Sequence, residues 1–427
     1  MGKTVLIVGC GVMGLSTAVH LAEAGYSVTA IDAYPVPSPW SAAADMNKII
    51  RTEYTDFKYT EMAVEAVRKW RTDPIYKEVY NECGRILMTP HHHEERRKFE
   101  AAGIECLRRI RFEGVKIEIF QGGQLLGSKF DFLKYNTVSE DTEIKWNPES
   151  GLAHAANSLF VLYQRACRLG VKFIFGDSGR AINIETDGGT DCIRTKDDSI
   201  YRADIILISA GAASGYLVDL RQQQSATGLF VTHIRLTEKE YETLKDIPIV
   251  FDAEMGYFFP PDKKTHLLKI ALSGLGGTNN IKDPFREDSL RSLPRYKTEY
   301  PNDTMPILGK IRAKKLLGKY IPEVAYHTLI ESKTCWIADT ADSNFIIDKV
   351  PNYCNIYVAT GDSGHAFKFL PTIGGYILEM LEGTLDKRFA ESWKWKNHGE
   401  SFDVSKCKWR VVADYSDFSD IKWVEKD

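Results

Sequence analysis

The sequence predicts an α/β (α+β) protein with two domains, one built on a parallel sheet and the other on a mostly antiparallel sheet. Its 427 residues exceed what one hydrophobic core usually holds. The N-terminal stretch TVLIVGCGVMGLSTAVHLAEAGYSVTAID combines a strand, a helix and a second strand, which is typical of parallel sheets. From about residue 220 polar and apolar residues alternate, as in LFVTHIRL and THLLKIALSG, which indicates half-buried antiparallel strands.

Three glycines, Gly9, Gly11 and Gly14, follow the first predicted strand, Thr4–Val8, and open a predicted helix. The first permits a tight turn, the second lets backbone approach a pyrophosphate, and the third lets helix and strand pack closely. The helix N-terminus offers free N–H groups to phosphates. Asp32 ends the second strand, where a carboxylate can accept hydrogen bonds from ribose hydroxyls. The motif therefore predicts a Rossmann-like dinucleotide-binding domain, although NAD and FAD share it.

The other elements follow from apolar periodicity and from turn residues. Predicted helices span 15–24, 59–70, 94–109, 152–168 and 373–381, and predicted strands before residue 220 span 27–31, 84–88, 171–176 and 205–209. Short apolar strands return at 335–348 and 356–360, after the alternating region. We therefore expect the dinucleotide-binding domain to be discontinuous in sequence.

Composition excludes several classes of function. A formal net charge of −3 gives no case for nucleic acid or for an acidic membrane as partner, and the apolar runs are too short to span a bilayer. The first strand follows Met1 closely, so we expect no signal peptide. The eight cysteines form no CxxC pair, which predicts free thiols and no zinc site. The C-terminal VEKD is not a peroxisomal signal, and we expect an intracellular, cytoplasmic protein.

Three consecutive histidines, His91, His92 and His93, precede two glutamates at the start of a predicted helix. Consecutive residues do not face a common point on a helix, so a metal site is disfavoured. We interpret the run as a solvated helix start.

A second glycine-rich turn, residues 361–365, lies between an apolar strand and an apolar helix near the C-terminus. A second helix N-terminus so far from the first could hold the other end of a long cofactor, which favours FAD. With GCGVMG, SAAADMNKIIR, TCWIADTADSNFIID and GDSGHAFKFLP, the chain resembles the monomeric sarcosine oxidase family of FAD-dependent amine oxidases, fungal members included. That family contains sarcosine, pipecolate, saccharopine and fructosyl amino acid oxidases.

The resemblance implies how FAD is held. Cys335 matches the cysteine that bonds covalently to the flavin, and Lys269 matches a catalytic lysine whose charge would assist electron transfer to O2. The full set of expected cofactor-binding residues is Gly9, Gly11, Val12, Met13, Gly14, Asp32, Ser41, Asn47, Lys48, Cys335, Asp339, Gly364, Phe367 and Lys368.

The resemblance also implies a substrate site. Arg51 and Lys368 match residues that hold the substrate carboxylate, and a guanidinium with an ammonium suits an amino acid. Tyr257 and Phe259 could form an apolar wall, or could equally pack in the core. Fructosyl amino acid oxidases carry an acidic residue shortly after the lysine matched by Lys269. They generally lack an arginine at the position of Arg51. This chain has Ala-Leu-Ser there and keeps Arg51, which favours the sarcosine, pipecolate and saccharopine branch.

We therefore expect an FAD-dependent oxidase of secondary amino acids that passes electrons to O2 and yields H2O2. The alternatives are a fructosyl amino acid oxidase, an NAD-dependent dehydrogenase and a flavin-binding protein without turnover. The expected partners are a small amino acid and O2, and the expected state is a monomer. Residues 1–90, 151–220 and 331–385 are assigned to the FAD-binding domain, 91–150 and 221–330 to the substrate domain, and 386–427 to a C-terminal tail. Lys406, Lys408 or Arg410 could reach the site, but a solvated tail is favoured.

Overall fold

The computed structural model describes residues 2–110, 114–220, 223–396 and 415–424. Its strands are β1 (Thr4–Val8), β2 (Ser27–Ile31), β3 (Asn47–Ile50), β4 (Tyr80–Asn81), β5 (Arg85–Thr89), β6 (Glu118–Gln121), β7 (Glu143–Asn147), β8 (Gly151–His154), β9 (Lys172–Ile174), β10 (Ala181–Asp187), β11 (Thr190–Thr195), β12 (Ile200–Tyr201), β13 (Ile205–Ile208), β14 (Ser225–Arg235), β15 (Ile249–Asp252), β16 (Gly256–Phe258), β17 (Leu267–Thr278), β18 (Asn280–Lys282), β19 (Leu290–Ser292), β20 (Ile330–Asp339), β21 (Ile346–Lys349), β22 (Ile356–Thr360) and β23 (Tyr415–Asp417). The helices are α1 (Val12–Glu23), α2 (Phe57–Thr72), α3 (Glu94–Arg109), α4 (Gly123–Lys129), α5 (Ala155–Arg168), α6 (Ser214–Leu217), α7 (Glu238–Leu244), α8 (Ile307–Tyr320), α9 (Ile373–Glu382) and α10 (Lys387–Trp393).

The first of the two large sheets has six strands in the order β21-β22-β13-β1-β2-β9. Its strands run parallel except for the antiparallel edge pair of β21 and β22. Alternate residues of β1 enter different cores: Val5 and Ile7 pack with the apolar faces of α1, α5 and α9, while Leu6 and Val8 face the β10-β11-β12 sheet. Burial on both faces explains why β1 is a continuous apolar run.

A second, nine-stranded sheet runs β20-β14-β17-β16-β15-β5-β7-β6, and β23 pairs with β17. It is mostly antiparallel, with parallel pairs only at β15–β5 and β17–β23 among the described strands. Its apolar face packs against α8. The mixed α/β fold class and the two kinds of sheet are therefore confirmed. β5 and β20 lie in this sheet although the sequence assigns their segments to the FAD-binding domain, and the domain boundaries stay a prediction.

Local differences from the expected elements have physical reasons. The helix expected from residue 152 begins at Ala155, because the four preceding residues pair with β3 as strand β8. In the C-terminal tail, Phe418 is buried and the Ile307 N–H donates to the carbonyl of Lys422, whereas Ser419, Asp420 and Lys422 are exposed. Lys406, Lys408 and Arg410 lie outside the described residues.

None of the helices in the described ranges combines the length and the apolar character that crossing a bilayer requires.

Candidate active site

The glycine turn between β1 and α1 leaves no room for a side chain at Gly9 or at Gly14. Gly9 has φ +104°, and a Cβ on it would lie 2.6 Å from the carbonyl oxygen of Ser209. A Cβ on Gly14 would lie 1.9 Å from the Gly9 oxygen, so helix and strand contact each other closely. Gly11 is the N-cap of α1 and supplies no side-chain hydrogen bond. The turn therefore presents bare backbone at a helix N-terminus.

Asp32 closes this turn at the end of β2. Its carboxylate accepts hydrogen bonds from the Cys10 N–H (2.8 Å) and from the Tyr34 N–H (3.1 Å). Burial raises the pKa of Asp32, while these backbone donors favour the ionised form. The carboxylate is thereby fixed beside the glycines.

A first cavity of about 510 Å³ extends from this turn into the interface of the two large sheets. The expected cofactor residues that line it are Gly9, Gly11, Val12, Met13, Asp32, Ser41, Lys48, Cys335, Gly364 and Phe367. The cavity combines a turn of bare backbone, a helix N-terminus and a fixed carboxylate. These features fit the pyrophosphate and ribose of a long dinucleotide such as FAD.

Four expected cofactor residues do not line this cavity. Gly14 and Asp339 are buried behind its wall, and Asn47 is buried with its side-chain oxygen Oδ1 lacking a hydrogen-bond partner. Lys368 lines the neighbouring cavity instead. Their proposed contacts with the cofactor stay predictions.

Cys335 lies on β20 in the wall of the first cavity. Its thiol donates to the carbonyl of Ala42 (3.4 Å), and the ammonium Nζ of Lys48 is 3.8 Å from its sulfur. The structure thus gives this cysteine cavity access and a cationic neighbour.

A second cavity of about 540 Å³ adjoins the first. The two share Lys48, Leu229, Tyr257, Leu272, Gly364 and Phe367 in their walls, so they meet there. Arg51 and Lys368, the expected carboxylate ligands, both line the second cavity. Tyr257 therefore lies where the apolar wall was expected. Phe259 does not, because it packs with Leu152 and Ile249 in the core and lines neither cavity.

Arg51 and Lys368 both contact Tyr54. The Arg51 guanidinium is 4.4 Å from the Tyr54 ring centroid and donates to the carbonyl of Glu53. Lys368 Nζ donates to the Tyr54 hydroxyl (2.7 Å) and to the carbonyl of His365 (2.8 Å). Burial, with Arg51 nearby, holds the pKa of Lys368 well below its usual range. A bound anion would stabilise the protonated form of Lys368, which burial and Arg51 disfavour.

His365 and Tyr54 are site residues that sequence reasoning missed. Burial and the nearby Lys368 lower the pKa of His365 to about 3, so its imidazole is neutral at physiological pH. Its Nδ1 lies 3.2 Å from the Tyr54 hydroxyl, and its Nε2 lies 2.8 Å from the carbonyl of Ser343. GDSGHAFKFLP contains this histidine, but only the fold brings it to Tyr54.

A buried carboxylate, Asp45, joins three lysines behind the meeting point of the two cavities. Lys269 Nζ donates to Asp45 Oδ2 (2.6 Å) and to the carbonyl of Asn47 (2.7 Å). Lys48 Nζ is 2.9 Å from the same Asp45 oxygen, and Lys333 Nζ is 3.7 Å from the other. Sequence reasoning missed Asp45, although it stands within SAAADMNKIIR, because two of its lysine partners, Lys269 and Lys333, come from strands distant in sequence.

The charges of this Asp45 cluster are set by burial and by each other. Burial alone would raise the pKa of Asp45, but Lys269, Lys48 and Lys333 hold it well below its usual range. Burial lowers the pKa of Lys269 to about 8 against the attraction of Asp45. Lys269 lines neither cavity and lies 5.0 Å from the ring centroid of Phe259.

At the surface, His92 and His93 meet Glu254. Their Nε2 atoms lie 3.0 and 2.6 Å from Glu254 Oε1, and together they could hold a metal ion. His93 is also the N-cap of α3, so the three histidines do precede the start of a helix, as the sequence indicated. Glu254 comes from a distant loop, so the sequence did not indicate this grouping.

Residues 4–380 match the family described as FAD dependent oxidoreductase. The chain belongs to this family of FAD-dependent oxidoreductases. Its FAD cofactor is thereby confirmed. The resemblance to the sarcosine oxidase family and the assignment as an oxidase are confirmed by the following relatives.

Two curated relatives align with this oxidoreductase over most of its length and most of their own. L-saccharopine oxidase of Schizosaccharomyces pombe is 38% identical and covers 99% of each chain. Monomeric sarcosine oxidase of a Bacillus species is 23% identical over 88% of this chain and 91% of its own. Among solved structures, a modified fructosyl peptide oxidase from Aspergillus nidulans has a TM-score of 0.88 at 29% identity, covering 99% of each chain.

Proposed function

We propose that this FAD-dependent enzyme is an oxidase of secondary (N-substituted) amino acids, with saccharopine-like compounds among its substrates. One observation carries the proposal: a cavity fitted to FAD meets a second cavity that contains two carboxylate-binding cations. The shared wall at Lys48, Tyr257 and Phe367 is where a bound amino acid would face the cofactor. The relative named L-saccharopine oxidase, at 38% identity over the whole chain, supports this substrate class.

Arg51 and Lys368 would hold the substrate by its α-carboxylate. The guanidinium offers two parallel donors, and the ammonium adds a point charge. The carboxylate would stabilise the protonated form of Lys368, whose pKa is otherwise depressed by burial and by Arg51. These cations also disfavour a positive charge on the substrate nitrogen. The site thereby favours the neutral amine, whose lone pair is needed for oxidation.

FAD would be held along the first cavity by the residues already described. The bare backbone at Gly9 and Gly11 would take the pyrophosphate, and Asp32 the ribose hydroxyls. When bound, FAD supplies the two-electron acceptor for oxidation of the substrate C–N bond. We propose that Cys335 tethers it covalently, supported by access to the cavity and by Lys48 beside the sulfur.

Lys269 is proposed to assist the reduction of O2 to H2O2. It is a cation with 1% of its side chain exposed, held in place by Asp45 and by the carbonyl of Asn47. A fixed charge in a site shielded from water stabilises developing negative charge far better than an exposed one. Asp45 holds the lysine in position and favours its protonated form.

Oxidation of fructosyl amino acids is the second candidate, because the fructosyl peptide oxidase has a closely similar fold. The acid that this branch carries after the catalytic lysine is absent. Ser273 lines the second cavity in that stretch, and its carbonyl accepts a hydrogen bond from Arg312 (2.8 Å). A sugar would therefore lack a carboxylate partner at this wall, which favours the first candidate.

The test is an H2O2 assay of the purified holoenzyme with saccharopine, pipecolate, sarcosine and fructosyl-valine. We expect saccharopine or pipecolate to give the largest kcat/KM. A larger kcat/KM for fructosyl-valine would contradict the choice of branch, and no peroxide from any of the four would contradict the oxidase proposal. O2 as acceptor and the monomeric state are part of the proposal, checked by O2 consumption and by light scattering. The cytoplasmic location stays a prediction.

A further inference from the structure

The second cavity continues past Arg51 and Lys368 to a group of charges beneath α3. Arg85 on β5, Arg96 on α3 and Lys145 on β7 line this far end, together with the carboxylates Glu53 and Glu100. We call these five residues the distal charge cluster. Each has at most about an eighth of its side chain exposed.

Two ion-paired units make up the cluster. In the first, Arg85 NH2 lies 2.9 Å from Glu53 Oε1, which also accepts from Asn147 Nδ2 (2.9 Å). In the second, Glu100 accepts from Lys145 Nζ (2.9 Å), from Arg96 Nε and from the hydroxyl of Thr89. Both carboxylates are thus already well satisfied by hydrogen bonds.

The cations are less well satisfied than the carboxylates. Arg85 is buried to 93%, yet its Nε has no hydrogen-bond partner. Burial, with Arg51 and Arg96 nearby, lowers the pKa of Arg85 despite its contact with Glu53. An unmet buried guanidinium donor costs free energy unless a ligand accepts from it.

The charges along the cavity also favour an anion. Cations line it at Arg51, Lys368, Arg85, Arg96 and Lys145, whereas its buried carboxylates are Glu53 and Glu100. Lys145 has a second acid partner, Glu143, outside the cavity. The two other acids in its wall, Asp56 and Asp342, pair with lysines beyond it. The cavity therefore keeps an excess of positive charge after one carboxylate has bound at Arg51.

The size of the cavity agrees with a longer ligand. Its volume of about 540 Å³ lies within the range of about 300–1,000 Å³ that holds drug-sized ligands. An N-methylated amino acid would fill only a small part of it. Two amino-acid units joined through a secondary amine would reach from Arg51 to the far end.

We propose that the distal charge cluster binds a second carboxylate, carried by the N-substituent of the substrate. The preferred substrates are then N-substituted amino acids whose substituent itself ends in an amino-acid group. This inference rests on the proposed function and narrows its substrate class.

The test compares two substrates in the holoenzyme variant Arg96→Gln. Saccharopine carries a distal amino-acid group, and pipecolate does not. We expect KM for saccharopine to rise by about 30-fold, because a buried carboxylate loses a charged donor, while KM for pipecolate stays within about twofold. Arg96→Lys should restore most of the loss. Arg108→Gln, an equal change of charge at an exposed position of the same helix, should alter neither KM.

A binding measurement complements the kinetics. The thioether analogue of saccharopine lacks the secondary amine that the proposed reaction oxidises. Its Kd, measured by calorimetry on the oxidised holoenzyme, should rise by the same factor in Arg96→Gln. If this variant fails to fold, the double variant Arg85→Gln/Glu53→Gln removes both charges of one ion pair of the cluster while Arg96 stays in place, and the Kd of the analogue should again rise.

The outcomes separate this inference from the proposed function. Equal changes for both substrates, or unchanged binding of the analogue, would overturn the distal site while leaving an amino acid oxidase. A wild-type enzyme that oxidises pipecolate but not saccharopine would also overturn it. A wild-type enzyme that oxidises no N-substituted amino acid would overturn the proposed function itself, and the distal site with it.

Discussion

Replacement of Asp45 by Asn tests whether one buried carboxylate supports the charged state of the site. Asp45 has 1% of its side chain exposed and contacts Lys269, Lys48 and Lys333. The amide retains the shape of the side chain but leaves three neighbouring cations without their counterion. Removal of one partner from a buried ion pair typically costs about 3–5 kcal/mol. Since domains are stable by only about 5–15 kcal/mol, we expect a marked loss of stability.

The same change should shift the pH dependence of the reaction with O2. Asp45 opposes the effect of burial on Lys269, whose pKa is about 8. Without the carboxylate this pKa falls further, so Lys269 loses its charge at a lower pH. We expect wild-type reoxidation by O2 to slow as pH rises through about 8, and Asp45→Asn to slow at a lower pH. The assay is stopped-flow mixing of the substrate-reduced holoenzyme with O2 across pH.

Stability should carry an independent pH signature. The pKa of Asp45 is depressed in the folded protein, so its contribution is present at neutral pH and is lost as pH falls from about 4 through the folded-state value. Asp303→Asn is a matched control, because Asp303 is also buried and forms a forked ion pair with Arg295 (2.5 and 2.8 Å). The control should lose stability without any change in the pH profile of reoxidation. An Asp45→Asn profile that coincides with wild type would refute the reasoning.

Three further substitutions test individual roles. Cys335→Ser should give folded protein whose yellow colour is released on acid precipitation; colour retained in the pellet would mean attachment elsewhere. Lys269→Met should slow reoxidation by O2 by about two to three orders of magnitude and flavin reduction by substrate far less, since one fixed charge at a developing anion is lost. Equal slowing of both half-reactions would argue against this role. Arg51→Met should weaken binding of amino acids and of simple carboxylate inhibitors by about 2–5 kcal/mol; unchanged inhibition constants would contradict the carboxylate grip.

The nucleotide-binding part of the fold was predictable because its signals are local. The strand β1, the glycine turn and β2 appear in sequence as one uninterrupted pattern, and each element has its expected place. Helix α3 also matches its prediction from Glu94 to Arg109, where charges and apolar residues recur at helical spacing. The docking of residues 415–424 onto β17 was not predictable, because an edge strand with a few aromatic residues resembles a polar tail.

The site was predictable only where motifs carried it. Arg51, Lys368 and Cys335 were assigned by resemblance, and the structure brings them to the walls of adjoining cavities. Asp45 could not be assigned, because its significance arises from lysines on β3, β17 and β20 that converge only in the fold. The sequence left two places open for Phe259, because the residue pattern does not reveal whether a ring faces a cavity or the core, and the structure packs it with Leu152 and Ile249.

The most direct test of the central claim compares pipecolate with piperidine, which is the same ring without the carboxylate. The holoenzyme is mixed with each compound under anaerobic conditions, and the visible absorbance of the flavin is followed. If the cations at Arg51 and Lys368 hold the substrate beside FAD, pipecolate bleaches the flavin and piperidine does not, and admission of air restores the colour with formation of H2O2. Bleaching by piperidine as fast as by pipecolate would contradict a site built around the carboxylate.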